Sequence, residues 1–345
     1  MSIIELPSPS KINRAGQILR NEASSSDLRE AAIDLLYKLR CAHSYILSAI
    51  YKKLEEQCSR LKFSNVIIAQ RIKCLKSIES KLRRYSIRLS KMQDLAGLRV
   101  ILPSTNEIRK LHERMQQTLP HSKSTDYIAS PKSDGYRGIH MILEFQNENQ
   151  PELNGLKAEI QLRTRLQHAF ATTVETLGVI EHQDFKSGLG DENYKRFFML
   201  ASALIAIAEK TAIADDLKGY SALKLAVEFE RLERHLDIFN RLRQASIEDS
   251  KDDTTETIRA PYHLLNLNAT DKVITRASYT ESKILDAIDI FSHQEKQQRS
   301  SQLLTLVSVR GNGSLHETYP NYFLDASIFI NELQQICNTI KKAPH

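Results

Sequence analysis

Between Asp126 and His140 the sequence Asp-Tyr-Ile-Ala-Ser-Pro-Lys-Ser-Asp-Gly-Tyr-Arg-Gly-Ile-His brings four chemically useful groups within a few residues of one another. They are an ammonium (Lys132), an aromatic plate (Tyr136), a guanidinium (Arg137) and an imidazole (His140). Cations neutralise phosphates and a flat ring stacks on a base, so this set suits a nucleotide. Pro131, Ser133, Asp134 and Gly135 are turn residues, and Ile139 to Phe145 is a mostly apolar run. That pattern predicts a loop feeding a strand. Turn chemistry alone also assembles such clusters, so the neighbouring segments have to decide.

Upstream, Arg71 to Lys91 carries eight Lys or Arg residues against one acid, Glu79. The spacing predicts a helix over Gln70 to Leu89. Ile72, Leu75, Ile78, Leu82, Tyr85 and Leu89 form its apolar stripe, and Lys73, Ser77, Lys81, Arg84 and Arg88 its cationic front. Two acids stand beside predicted strands: Asp94 before Leu98 to Leu102, and Glu159 within Leu156 to Leu162. Taken singly, Asp94 reads as a turn carboxylate. Glu159 alternates with Lys157 and Gln161 as on a solvated strand face.

These residues need elements to hold them. A first helix is expected from Ser24–Ser26 to about Leu54, after a mixed, Ser-rich arm. Helices are predicted at Thr105 to Thr118 and Arg163 to Leu177, and strands interspersed with helices indicate an α+β core with a small mixed sheet. A helical stretch follows from Lys186 to Ile247, then an acidic linker from Asp249 to Thr257. Beyond it, strands at His263 to Asn268, Lys272 to Ser278 and Leu303 to Val309 alternate with helices at Glu281 to Gln297 and Leu324 to Ile340. The expected division is a 1–60 arm and helical element, a 61–185 core, a 186–248 helical region and a 258–345 α/β module of unassigned role.

Composition narrows the classes. The chain has 345 residues, net charge +6 and 26% charged residues, which favours polyanionic partners. The most apolar segment, Phe197 to Ala208, is shorter than a bilayer span, and the N-terminus lacks the pattern of a secretory signal. A cytoplasmic protein without membrane contact is expected. Cys41, Cys58, Cys74 and Cys337 share no metal-binding or disulfide spacing and read as reduced thiols.

Four segments, Arg71 to Leu82, Asp94 to Ile101 (Asp-Leu-Ala-Gly-Leu-Arg-Val-Ile), Asp126 to His140, and Ala158 to Thr164 (Ala-Glu-Ile-Gln-Leu-Arg-Thr), together resemble the synthetase domain of the RelA/SpoT family. The likeness covers roughly Arg71 to Ala171. It implies a nucleotidyltransferase-like fold of the polymerase β type, with a mixed sheet and flanking helices. It also implies transfer of the ATP β,γ-pyrophosphoryl group to the 3′-hydroxyl of GTP or GDP, with Mg2+ as cofactor.

By the same resemblance Asp94 is the Mg2+ ligand, and Glu159 orients or deprotonates the acceptor hydroxyl and shares the metal. Arg71 and Arg99 sandwich the adenine, and Lys73, Ser77 and Lys81 face the ATP phosphates. Tyr136 stacks on the acceptor guanine, with Lys132, His140, Gln161 and Arg163 around that nucleotide. His168 is a weaker candidate for a phosphate or structural role.

The sequence departs from the family at Gly138 (often Ser), at Phe170 (commonly Trp) and at Val174-Glu175-Thr176, where long members often carry a Glu-His pair. None of the eleven histidines is followed by Asp, so the His-Asp motif of the family's hydrolase domain is missing. A stand-alone, synthesis-only member is expected. The alternatives are a toxin-like enzyme acting on the tRNA 3′ end and a non-catalytic nucleotide-sensing protein, and a homo-oligomer is left open.

Overall fold

A computed structural model describes residues 6–119, 122–185, 190–247, 260–298, 302–311 and 314–343. The acidic stretch expected as a linker, Asp249 to Thr257, lies outside the described residues.

The N-terminal arm is ordered as helix α1 (Pro9–Arg20), started by Pro9 at its first position and by the Ser8 hydroxyl, which accepts from the Lys11 amide. Ile12, Ala15 and Leu19 of α1 pack on α2 (Ser26–Arg60) and, further along, on α3 (Leu75–Tyr85). Strand β1 (Ile67–Ile72) precedes α3, so the helix expected from Gln70 begins five residues later. The segment Ile67-Ile68-Ala69-Gln70-Arg71-Ile72 finds ladder partners on both sides, and this pairing overrides the helical spacing.

Strand β2 (Ala96–Leu102) leads to α4 (Thr105–Thr118), capped by Ser104. A short edge strand absent from the sequence reading, β3 (Ser122–Asp126), pairs with β4 (Ile139–Glu144). Strand β5 (Lys157–Thr164) then passes into α5 (Arg165–Ile180) through a capping box of Thr164 and Gln167. Helices α6 (Glu192–Glu209), α7 (Ala222–Leu236) and α8 (Ile238–Ala245) follow.

The C-terminal strands do not form a sheet of their own. β6 (Tyr262–Asn268), β7 (Val273–Tyr279) and β8 (Gln302–Gly311) join the same sheet, whose order is β3-β4-β5-β2-β1-β8-β6-β7. β8 runs antiparallel to β1, β1 to β2 and β4 to β5, while β2 and β5 are parallel. The sheet is thus mixed, as an α+β reading requires. Helix α9 (Ile284–Lys296) lies between β7 and β8, a single turn α10 (Leu315–Thr318) follows, and α11 (Ser327–Lys342) closes the described chain.

The register assigns the two faces. Opposed residues share a face, and neighbours along a strand alternate. One row reads Ile139, Leu162, Val100, Ile68 across β4, β5, β2 and β1. This face is buried with Ile46, Ile50 and Leu54 of α2, Leu111 and Met115 of α4, and Ile288 and Phe291 of α9. The opposite face carries the polar rows. Glu159, Gly97 and Arg71 stand side by side, and one step along come His140, Gln161, Arg99 and Ala69.

Candidate nucleotide-transfer site

Residues of three strands, β1, β2 and β5, form the floor of one cleft, lined by Arg71, Asp94, Arg99, Glu159, Gln161 and Tyr319. Gly97 contributes no side chain between Glu159 and Arg71, which leaves the floor open there. Segments far apart in sequence meet because β2 is central, with β1 on one side and β5 on the other.

Around Asp94 the charges are cationic. Its Oδ2 lies 3.0 Å from Lys73 Nζ and its Oδ1 2.8 Å from Lys81 Nζ. Burial would raise its pKa, but the two ammonium groups outweigh this and hold the carboxyl below its ordinary value. Lys81 stands on α3. Lys73 occupies the connector between β1 and α3, where its amide donates to the Leu95 carbonyl (2.9 Å) and so ties it to the Asp94 loop. Lys73 is therefore not on a helix front as the spacing predicted, and Arg71, which falls inside the expected helix, belongs to β1. Ser77 stands on α3, and its Oγ lies 3.0 Å from Cys74 Sγ.

The Glu159 side is a closed hydrogen-bond network. His140 Nδ1 is 3.0 Å from Glu159 Oε1, and Gln161 Nε2 donates to Glu159 Oε2 at 2.7 Å. Arg163 donates from Nη2 to Gln161 Oε1 (2.8 Å) and from Nε to Tyr136 Oη (3.0 Å), and Tyr136 Oη meets His140 Nε2 at 2.5 Å. One proton arrangement satisfies every contact: Tyr136 donates to a neutral His140, which donates to an ionised Glu159. Burial lowers the His140 pKa, which favours the neutral ring. Glu159 is held far below the carboxylate norm, because the His140 and Gln161 hydrogen bonds overcome its burial.

The aromatic plate is crowded. Lys132 Nζ lies 4.9 Å from the Tyr136 ring centre and 4.5 Å from that of Tyr127, and the Arg163 guanidinium lies 5.0 Å from Tyr136. Tyr127 and His140 meet Tyr136 edge-on. Gly135 has φ +84°, and a Cβ there would stand 3.0 Å from the Phe198 carbonyl oxygen, so the turn that presents Tyr136 needs glycine. Gly138 also has positive φ, +144°.

Arg137, read from sequence as part of the phosphate kit, points the other way. It is 2% exposed and donates to Ser202 Oγ (2.8 Å) and the Ala212 carbonyl (2.7 Å), pinning the loop to α6. The alternation along the loop puts Tyr136 toward the cleft and its neighbour Arg137 away from it. His168 is buried on α5 and lines a separate cavity of about 200 Å³ with Thr172, Thr173 and His316. Burial, with Arg99 and Arg163 nearby, keeps its ring neutral.

Sequence reasoning missed the C-terminal and α5 contributions to the cleft. Arg99 donates to the Thr318 carbonyl (3.3 Å), and its guanidinium lies 5.7 Å from the Tyr319 ring centre. Burial and the neighbouring Arg163 bring the Arg99 pKa down to about 10. For Arg71 burial acts in the same direction, but the Glu175 carboxylate and Tyr322 prevail and hold it firmly protonated. Glu175 in turn accepts from Asn321 Nδ2 at 3.1 Å. Glu175 was visible only as a departure from the family pattern, and Tyr319 carried no local signal.

The polar face of the sheet thus gathers two carboxylates, Asp94 between two lysines and Glu159 within a hydrogen-bond network that ends at Arg163. Residues 70–188, about a third of the chain, match the family described as "Region found in RelA / SpoT proteins".

Among curated relatives, GTP pyrophosphokinase YwaC of Bacillus subtilis (strain 168) is 30% identical over 130 residues, covering 35% of this chain and 62% of that protein. GTP pyrophosphokinase YjbM of the same organism is 29% identical over 154 residues, covering 43% and 68%. The small alarmone synthetase 1 from Bacillus subtilis, solved with its product pppGpp, aligns over 49% of this chain and 90% of its own at 25% identity, with a TM-score of 0.42. Among the described residues no helix is long and apolar enough to cross a membrane.

Proposed function

We propose that this protein transfers the β,γ-pyrophosphoryl group of ATP to the 3′-hydroxyl of GTP or GDP. The observation that carries the reading is that Asp94 and Glu159 reach one cleft from different environments. Asp94 stands between two lysines, and Glu159 sits at the end of a network running through Tyr136, His140, Gln161 and Arg163. The relatives named GTP pyrophosphokinase support the same chemistry.

In this reading the acceptor 3′ oxygen bonds to the β-phosphorus, the bond from the β-phosphorus to the α–β bridging oxygen breaks, and AMP leaves. The hydroxyl proton passes to Glu159. A loose transition state for phosphoryl transfer makes little demand on base strength, so a carboxylate of low pKa serves if it is well placed. Lys73 and Lys81 neutralise the donor phosphates, while Arg71 and Arg99 flank its base. Lys132 and Arg163 serve the acceptor, whose guanine takes the place of Lys132 on the Tyr136 ring.

The donor set fits Mg2+, a hard cation that takes one or two carboxylates and leaves the remaining positions to phosphate and water. Asp94 and Glu159 would hold it, and it would neutralise charge developing on the transferred group.

The deciding experiment incubates the full chain with ATP labelled on the γ-phosphate, Mg2+, and either GTP, GDP or deacylated tRNA. Label on the guanine nucleotide and release of AMP are the expected result. Label on tRNA alone overturns the nucleotide acceptor and favours the toxin-like reaction. No label on any acceptor overturns both.

A further inference from the structure

The C-terminal segment has no catalytic motif, yet it touches the donor half of the cleft at two independent points. At the first, the Glu295 carboxylate of α9 accepts from the Leu75 amide at the start of α3 (2.5 Å). It also pairs with Arg40, whose Nη2 donates to the Lys73 carbonyl at 2.7 Å. At the second, Thr318 and Tyr319 meet Arg99. The second point bears directly on a group that would touch substrate.

We infer that Tyr319 is a positioning residue for Arg99: its fixed ring and the preceding carbonyl hold the guanidinium in the plane that a donor base would stack on. This rests on the donor reading of Arg99 given above.

The alternative is a plug, with Tyr319 occupying the base's place and leaving when ATP arrives. Anchoring argues for the fixed wall. Tyr319 is 3% exposed, its hydroxyl donates to the Gln70 carbonyl at 2.8 Å, and its ring packs with Val307, Val309, Leu315 and Phe323. Gln70 is the neighbour of Arg71 on β1, so the ring is tied to the strand that carries the other donor arginine. Withdrawing it would return about 150–250 Å² of aromatic surface to water and leave a buried carbonyl without its donor.

A guanidinium has two faces, and its five N–H groups lie in one plane. With the Tyr319 ring nearby and an N–H committed to Thr318, Arg99 loses rotational freedom before substrate binds. Preorganisation of this kind appears in affinity and leaves the chemical step alone.

The test uses the full chain with Tyr319→Phe and Tyr319→Leu. Two readouts are taken: the side-chain Nε–Hε resonance of Arg99, assigned by its loss in Arg99→Lys, and the affinity for α,β-methylene ATP by calorimetry. Tyr319→Leu is expected to move the Arg99 resonance toward that of a free arginine and to weaken binding about tenfold, equivalent to about 1.4 kcal/mol. In turnover the KM for ATP should rise by a similar factor while kcat stays within about threefold.

Tyr319→Phe loses the bond to the Gln70 carbonyl but keeps the packed ring, and is expected to stay close to wild type in both readouts; a urea titration of each variant shows that the fold is kept. An unmoved Arg99 resonance with unchanged affinity overturns the inference, and tighter binding or faster turnover in Tyr319→Leu establishes the plug. A wild-type chain that binds no adenine nucleotide overturns the donor reading instead. The Arg99 resonance still reports whether Tyr319 holds the guanidinium.

Discussion

His140 Nδ1 lies 3.0 Å from Glu159 Oε1, and the pair carries a single negative charge near neutral pH, on the carboxylate. Register creates this contact: His140 opposes Gln161, one step from Glu159 on the same face of β5. His140→Ala removes one of the two hydrogen bonds that keep Glu159 ionised, so the carboxyl pKa should rise. Transfer should fall about 10- to 100-fold, with the acid limb of kcat/KM moving to higher pH. A pH profile of labelled transfer from pH 5 to 9, compared with wild type, checks both.

Asp94→Asn should abolish measurable transfer, by about a hundredfold or more, because the group proposed to hold the metal is lost. The same change takes from Lys73 and Lys81 the carboxylate they share. Lys73 is the more buried, at 10% side-chain exposure against 31% for Lys81, so a modest destabilisation of about 1–2 kcal/mol should accompany it. Urea titration separates the two effects, since a collapse of the fold would show as a far larger shift.

Gly135→Ala should cost about 1–3 kcal/mol, because φ is +84° and the new methyl would meet the Phe198 carbonyl and Ser202 Cβ, both at 3.0 Å. The loop would have to move off α6, and Tyr136 with it. A higher KM for the acceptor with little change in the KM for ATP is expected from steady-state kinetics.

Stability should decline as pH falls below about 6.5, before the carboxylates titrate. His43, His140 and His168 all have pKa values depressed chiefly by burial. A depressed folded pKa means that the unfolded chain binds more protons in the window between the folded value and the ordinary 6.5, so stability is present above that window and lost within it. Each histidine still neutral at pH 5 removes about 2 kcal/mol relative to pH 7. Unfolding curves between pH 7.5 and 5 measure this. A flat profile, or one that falls only near pH 4, would contradict the assignment.

Breaking the ion pair of Arg40 and Glu295 should be severe. The side chains are 1% and 0% exposed, and Arg40 also lies 4.8 Å from the Phe291 ring centre. Glu295→Ala leaves a buried guanidinium uncompensated, at a cost of about 3–5 kcal/mol. Arg40→Met combined with Glu295→Leu should recover most of that stability, yet it removes the contacts to the Lys73 carbonyl and the Leu75 amide. Transfer in the double variant should therefore stay low, with the loss falling mainly on the KM for ATP.

The candidate site could be named before the fold because the segments that carry the resemblance are local. Asp94 and Glu159, which singly read as a turn carboxylate and a strand-face acid, stand out only together with the loop from Lys132 to His140, and Ile139–Glu144 reads as an apolar run until its burial alternates in the sheet. Other features depended on partners that local spacing cannot name. Arg71 reads as helical until β1 is paired by β2 and β8, and Arg137 reads as a phosphate ligand until α6 offers it Ser202 and the segment after α6 the Ala212 carbonyl.

By itself the sequence determined which groups could act on a nucleotide and that strands and helices would interleave around them. Tertiary structure alone decided that the C-terminal strands continue the same sheet, which sets Tyr319 against Arg99 and Glu295 against the start of α3. The β1–β8 ladder and these two contacts join residues more than two hundred positions apart. Periodicity reports only the neighbours within a few turns, so contacts of that range enter when the chain closes on itself.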